Sequence, residues 1–164
     1  MVAAIDFSMT STAMAMNVDG SRLLWSFVPE MTSSKKFDMH RLVSPYVKVV
    51  QYGAKEESSD YSSGEEQKLI AASRLATCIA DEIALVGGCE RAVFEGFSFG
   101  SKGSSFIDLI VYNTVAKKEL WDRFGCRISV MAPSTIKKRY TGNGRSRKPE
   151  MYAEFIKEGT EFSA

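Results

Sequence analysis

Hydrophobic and polar positions change their spacing several times along this chain, and each change marks an element. Val2 to Ile5 is a short apolar run closed by Asp6, the length of a buried strand. Small polar residues follow from Ser8 to Thr12, and apolar residues resume from Ala13 to Val18. Asp19-Gly20, a strong hairpin-turn pair, leads into a return strand from Leu23 to Val28 that stops at Pro29. This first portion predicts a three-stranded antiparallel meander. From Gly64 the period lengthens: Leu69, Ile70, Ala72, Ala76, Ile79, Ala80, Ile83 and Val86 recur at three- and four-residue steps, an amphipathic helix that Gly87-Gly88 ends. Ala92-Val93-Phe94 is a buried strand reaching Glu95. Ser104 to Phe124 is a second long helix, with Phe106, Leu109, Ile110, Asn113, Ala116 and Leu120 on one face and Gly125 as its stop. Arg127 to Ala132 is another strand. Pro133-Ser134 opens a short helix to Tyr140, and Pro149 starts a last one toward Lys157.

Glu30 to Ser63 breaks this order. It mixes Ser, Lys and acidic residues, and reads as a variable insertion with a short helix near Phe37 to Leu42 and a β-prone patch from Tyr46 to Tyr52 suited to an extra strand. The remaining elements make an α/β domain: a mixed five-stranded sheet, three antiparallel strands and then parallel ones, with helices on both faces. Right-handed crossovers place the strand ending at Glu95 beside the first strand, so that Asp6 and Glu95 stand on neighbouring central strands.

Composition narrows the class without choosing a function. The 164 residues suit one domain with a sizeable core, and 45% hydrophobic against 25% charged residues is a globular balance. Three scattered cysteines, Cys78, Cys89 and Cys126, contain no CxxC pair and argue for reduced thiols in a cytoplasmic setting rather than a disulfide framework or a zinc site. No apolar stretch is long enough to span a bilayer, and the N-terminal segment lacks the basic start of a signal peptide. The net charge of +1 carries no message, so any nucleic-acid signal has to be local.

Two local features supply one. Carboxylates on adjacent strands repel each other, and a divalent cation with a preference for oxygen ligands relieves that repulsion. The run KKRYTGNGRSRK gathers Lys137, Lys138, Arg139, Arg145, Arg147 and Lys148 around two glycines, a composition suited to a phosphate backbone. Acids for a metal and cations for phosphate together point to a nuclease. Each feature has a plainer alternative: Asp6 as a turn cap, Glu95 as a strand-end charge, the basic run as a solvated face, and Phe97 and Phe99 as core aromatics rather than base-stacking wedges. His40, the only histidine, falls in the insertion, and the methionines of SMTSTAMAM read as core filler.

The segments AIDFSMTSTAMAM, VFEGFSFGSKG and VMAPSTIKKRYTGNGRSRK occur in the order seen in RuvC-like Holliday junction resolvases, especially the phage-encoded ones, and the chain resembles that family over its first strand and from about Arg91 to Tyr152. The resemblance implies an RNase H-like fold, a homodimer, and Mg²⁺- or Mn²⁺-dependent cleavage of branched DNA such as four-way junctions, in the cytoplasm of a bacterial host if the chain is phage-encoded. By position, Asp6 and Glu95 match the family's first two metal-binding acids. Lys137 and Lys148 match its basic residues near the scissile phosphate. Phe97 or Phe99, followed by Lys102, falls where the family inserts an aromatic into the junction. The family completes its site with acids on a final helix, which Glu150, Glu154, Glu158 and Glu161 do not reproduce; the expectation is a truncated version of a longer protein. The competing readings are a non-catalytic DNA-binding module of the same fold, another RNase H-like nuclease of terminase or RNA/DNA-processing type, and a small-molecule phosphotransferase.

Overall fold

At Asp19 and Gly20 the chain turns with positive φ at both residues (51° and 82°), the twist a two-residue hairpin requires, and Val18 and Ser21 close the ladder across it. The meander read from the sequence grows from this turn. The structure is a computed structural model and describes residues 1–30, 47–53, 60–97 and 103–157. Its elements in chain order are β1 (Val2–Asp6), β2 (Thr12–Val18), β3 (Ser21–Pro29), β4 (Val47–Tyr52), α1 (Tyr61–Leu85), β5 (Arg91–Glu95), α2 (Ser104–Phe124), β6 (Arg127–Met131), α3 (Pro133–Thr141) and α4 (Lys148–Lys157). The short helix expected near Phe37 to Leu42, His40, and the tail after Lys157 lie outside the described residues.

The sheet has six strands rather than five, in the order β4-β3-β2-β1-β5-β6. The added strand is β4, which lies parallel to β3 with Leu24 opposite Val47 and Pro29 opposite Tyr52. Its apolar residues were legible as a patch. Its place at the edge of the sheet was not, because a parallel partner is chosen through a crossover and not by local spacing. β1 pairs antiparallel with β2 and parallel with β5, and β5 pairs parallel with β6. The carboxyl ends of β1, β3, β4, β5 and β6 therefore share one edge of the sheet.

Strand alternation gives the sheet two unlike faces. Ala3 and Ile5, Met14 and Met16, Trp25 and Phe27, and Ala92 and Phe94 point to one side, where they are buried with Leu75, Ile79 and Ile83 of α1 and Tyr112, Ala116 and Leu120 of α2. Each large side chain buried this way contributes about 1.5–3 kcal/mol. The helices run parallel, tied by Lys68 to Asp108 (2.8 Å) at one end and Arg123 to Asp81 (2.7 Å) at the other. α1 begins earlier than its apolar period, at a capping box in which Asp60 accepts from the Ser63 N–H (2.9 Å) and its own N–H donates to the Ser63 hydroxyl. Leu69, expected on the buried stripe, is exposed; Leu75 takes its place in the core.

The opposite face carries Val2, Ala4 and Asp6 of β1 and Arg91, Val93 and Glu95 of β5, with Val2, Ala4 and Asp6 exposed. The three cysteines are free, and burial together with the neighbouring Cys126 thiol pushes Cys89 up to about 12, so it stays an inert thiol. No helix among the described residues is long and apolar enough to cross a membrane.

Candidate active site

β1 and β5 are in parallel register from Val2 opposite Arg91 to Ile5 opposite Phe94. One step further puts Asp6 level with Glu95, at the carboxyl ends of the two central strands. Both project on the face away from the core. The Glu95 carboxyl is raised above the usual carboxylate range: burial is the largest cause, the Asp6 charge and a side-chain hydrogen bond to Asp6 add to it, and Lys137 opposes it. Two neighbouring acids with an ammonium close by are the kind of oxygen-rich, charged setting in which a small, hard cation could be held. They do not form an ordinary surface.

The backbone on either side fixes these positions. After Glu95, the Gly96 N–H donates to the Met131 carbonyl (2.8 Å), so β5 stays bonded to β6 one residue past the acid. After Asp6, the turn from Phe7 to Ser11 is held from beneath: the Thr12 hydroxyl, fully buried, donates to the Ser8 carbonyl and accepts from the Ser8 N–H (3.3 Å). The Phe7 ring lies against Phe94 (6.3 Å between centroids), which joins the roots of the two acid-bearing strands.

Lys137 comes from α3, which starts at Pro133 directly after β6 and so leaves the same edge of the sheet. Lys138 and Arg139 on α3 are exposed, as are Arg145, Arg147 and Lys148. The loop between them is hydrogen-bonded throughout. The Thr141 hydroxyl donates to the Lys137 carbonyl (2.9 Å), lies 2.6 Å from the buried Ser146 hydroxyl, and accepts from the Asn143 N–H (3.2 Å). The Asn143 side chain accepts from the Arg145 N–H (3.0 Å), an Asx turn that the Thr-Gly-Asn-Gly sequence could have announced. Gly144 packs so closely on α3 that a Cβ there would meet the Ser134 carbonyl at 3.0 Å. The sequence reading found the cations and missed Thr141, Asn143 and Ser146, which hold them in place.

Of the residues singled out from the sequence, the structure thus brings Asp6, Glu95 and Lys137 together. Lys148 opens α4, exposed, and the charges acting on Glu95 are those of Asp6 and Lys137. Phe97 follows two residues after Glu95, is exposed, and stacks edge-on against Phe106 (5.2 Å). Phe99 and Lys102 lie outside the described residues. Glu150 is used as a helix-start cap, accepting from the Arg147 N–H (2.8 Å), and Glu154 pairs with Lys157 (2.7 Å). Among the described residues no cluster of three or more acids, histidines or cysteines is positioned to hold a metal. Asp6 and Glu95 are the residues that could hold Mg²⁺ or Mn²⁺, which take carboxylate oxygens while keeping several waters and accept phosphate oxygens as further ligands.

The fold, with three antiparallel strands followed by parallel ones, has solved counterparts. Thermus thermophilus RuvC superposes with a TM-score of 0.53 at 14% identity, covering 99% of this chain and 82% of that one. T. thermophilus RuvC in complex with Holliday junction substrate superposes with a TM-score of 0.61 at 13% identity, with the same coverage. The fold is that of RuvC. No family model matches the sequence, and no curated protein is recognisably similar to it. The RuvC likeness is one of three-dimensional structure, with the added β4 as a difference in the RNase H-like sheet expected from the sequence.

Proposed function

We propose that this protein is a structure-selective DNA endonuclease of RuvC type that cuts the phosphodiesters of branched DNA, four-way junctions above all, with Mg²⁺ or Mn²⁺ as cofactor. The observation that carries this reading is the pair Asp6 and Glu95, level with each other at adjacent carboxyl ends of the sheet and close to Lys137. One of the solved neighbours was determined with a Holliday junction, which supports branched DNA as the substrate class.

The chain's own groups divide the work. Asp6 and Glu95 would hold the cation, which when bound neutralises phosphate charge and activates water. Lys137 stands beside the acids, where a scissile phosphate would develop additional negative charge. The exposed Lys138, Arg139, Arg145, Arg147 and Lys148 neutralise flanking phosphates, and the hydrogen-bonded loop from Thr141 to Ser146 presents them at low entropic cost. Phe97 stands next to the acids, where an exposed ring can stack on an unpaired base at the branch. We further propose a homodimer, since two strands related by the junction's two-fold symmetry have to be reached together. The outer side of α2, where Ile107 and Trp121 are 63% and 65% exposed, is the surface offered for it. The free thiols fit an enzyme acting in the cytoplasm, where a phage-encoded protein would meet replicating DNA.

The test is incubation of the protein with synthetic four-way junctions, linear duplex and RNA–DNA hybrid in Mg²⁺ or Mn²⁺. Paired nicks in the junction are expected, with Asp6→Asn lowering the rate beyond the ~100-fold that loss of an outer metal-site contact produces. Cleavage that is absent, or indifferent to Asp6→Asn, refutes the proposal. A second reading, a DNA-binding module without catalysis, is favoured by the presence of only two acids in the cluster among the described residues. It predicts tight binding that ignores divalent ions.

A further inference from the structure

We infer that Tyr52, on the added edge strand β4, is a positioning residue for Asp6: it clamps the β1–β2 turn that follows the acid and so makes the insertion a working part of the site. This rests on the nuclease reading for its consequence, although the clamp itself does not.

The contact is specific. Tyr52 is the last residue of β4, at the same sheet edge as Asp6, and its hydroxyl donates to the Met9 carbonyl at 2.8 Å. Met9 lies mid-way through the turn from Phe7 to Ser11, which begins one residue after Asp6. Two strands, β3 and β2, separate β4 from β1, so the tyrosine reaches across the top of the sheet to make this bond. Its ring is buried with Tyr112 and Cys78 nearby, and burial followed by those two neighbours raises the phenol well above its ordinary range. That direction favours the protonated hydroxyl, the form that donates to Met9.

The anchor is also firm at its other end. The Tyr52 carbonyl accepts from the Glu30 N–H (2.8 Å), which bonds the tip of β4 to the end of β3. Lower on the same strand, Lys48 donates to both oxygens of Glu82 of α1 (2.7 and 2.8 Å), and the indole N–H of Trp25, the register partner of Lys48, donates to the same carboxylate (2.8 Å). β4 is thus tied to its neighbouring strand and to a long helix. Thr12 closes the base of the turn after Asp6 from within, Ser11 meets the Ser26 hydroxyl of β3 (3.3 Å), and Tyr52 holds the tip from the edge strand. With the tip released, the segment keeps Thr12 at its base, the Phe7 ring against Phe94 and the Ser11–Ser26 hydroxyl contact, while Met9 at its centre loses its bond to the edge strand and the Asp6 side chain at its root gains freedom that a metal ligand cannot use.

Tyr52→Phe removes the hydroxyl and keeps the ring, so the packing against Tyr112 and Cys78 survives. Two measurements on the same variant decide the matter. Hydrogen exchange is expected to quicken by roughly tenfold at the amides of Ser8 to Thr12, the effect of losing about one hydrogen bond, and to stay unchanged at Ala92 to Phe94 of β5. The Mn²⁺ concentration that half-saturates junction cleavage is expected to rise severalfold, while junction affinity measured in EDTA stays the same. Unchanged exchange in the turn, or equal loosening of turn and β5, overturns the clamp. Loosening confined to the turn with an unaltered Mn²⁺ requirement overturns the positioning role. If the wild-type chain does not cut, Mn²⁺ binding followed by electron paramagnetic resonance replaces the cleavage readout: weaker binding by the variant upholds the positioning role while the nuclease reading falls, and equal binding overturns it.

Discussion

At the scale of single residues, the decisive relation is between Asp6 and Glu95. Each is unremarkable alone in the sequence: an acid after four apolar residues, and another after three. Their meeting depends on β1 and β5 being adjacent, which the right-handed crossover rule leads one to expect, and on their register, which the structure supplies. Glu95 carries a pH signature of this meeting. Its folded-state pKa lies above the ordinary glutamate value, from burial first and Asp6 second. A raised carboxylate pKa means that the folded protein binds more protons than the unfolded chain in the window between the two values. Metal-free stability therefore falls as pH rises through that window. Glu95→Gln removes this loss, so the metal-free variant is expected to melt at a higher temperature than the wild type at neutral pH. The gap should close in acid, where Glu95 is protonated in both states; thermal melts in EDTA across pH check it. Tyr52 and Thr12 escaped the sequence reading because a hydroxyl's partner is a single backbone atom chosen by the tertiary fold, and no spacing in the chain records it.

Elements were more legible than their partners. The hairpin at Asp19-Gly20, the two long helices and the proline-started α3 follow from turn chemistry and apolar period, and their ends fall within a few residues of the expected ones. β4 shows the limit. Val-Lys-Val-Val-Gln-Tyr was visible as β-prone, but Lys48 points to the core side because Glu82 awaits it, and that compensation is a long-range fact. The α3–α4 segment makes its own prediction. Its cations act on phosphate charge rather than base sequence, so Arg145→Ala with Arg147→Ala should weaken binding to every DNA tested. Each lost phosphate contact should also lower the slope of log affinity against log salt by about 0.9. Fluorescence anisotropy between low and moderate salt measures this. A slope equal to the wild-type value would mean that the loop does not touch the backbone.

For the whole molecule, the sheet divides the tasks between its faces. Packing is concentrated on the face beneath α1 and α2, where Phe27, Phe94, Leu75, Ile79, Ile83 and Leu120 are all but inaccessible. The chemistry stands on the other face, at one edge, where Asp6 and Glu95 incur less of the desolvation that a core acid would suffer. This division explains why the fold was readable from apolar periodicity while the site needed topology as well. It also leaves α2 with an outward row that the core does not use. If that row joins two copies, Trp121→Glu should convert a dimer to a monomer in sedimentation velocity while thermal unfolding by circular dichroism stays close to wild type. A wild-type chain that already sediments as a monomer at micromolar concentration would rule out the dimer.

If Asp6 and Glu95 hold one divalent cation cluster in common, Mn²⁺ titration followed by electron paramagnetic resonance reads it without requiring turnover. Wild-type protein with a non-cleavable junction should take up Mn²⁺, and Asp6→Asn and Glu95→Gln should each abolish that uptake while leaving metal-free junction binding intact. Equal Mn²⁺ uptake by the wild type and both variants would contradict a shared cluster.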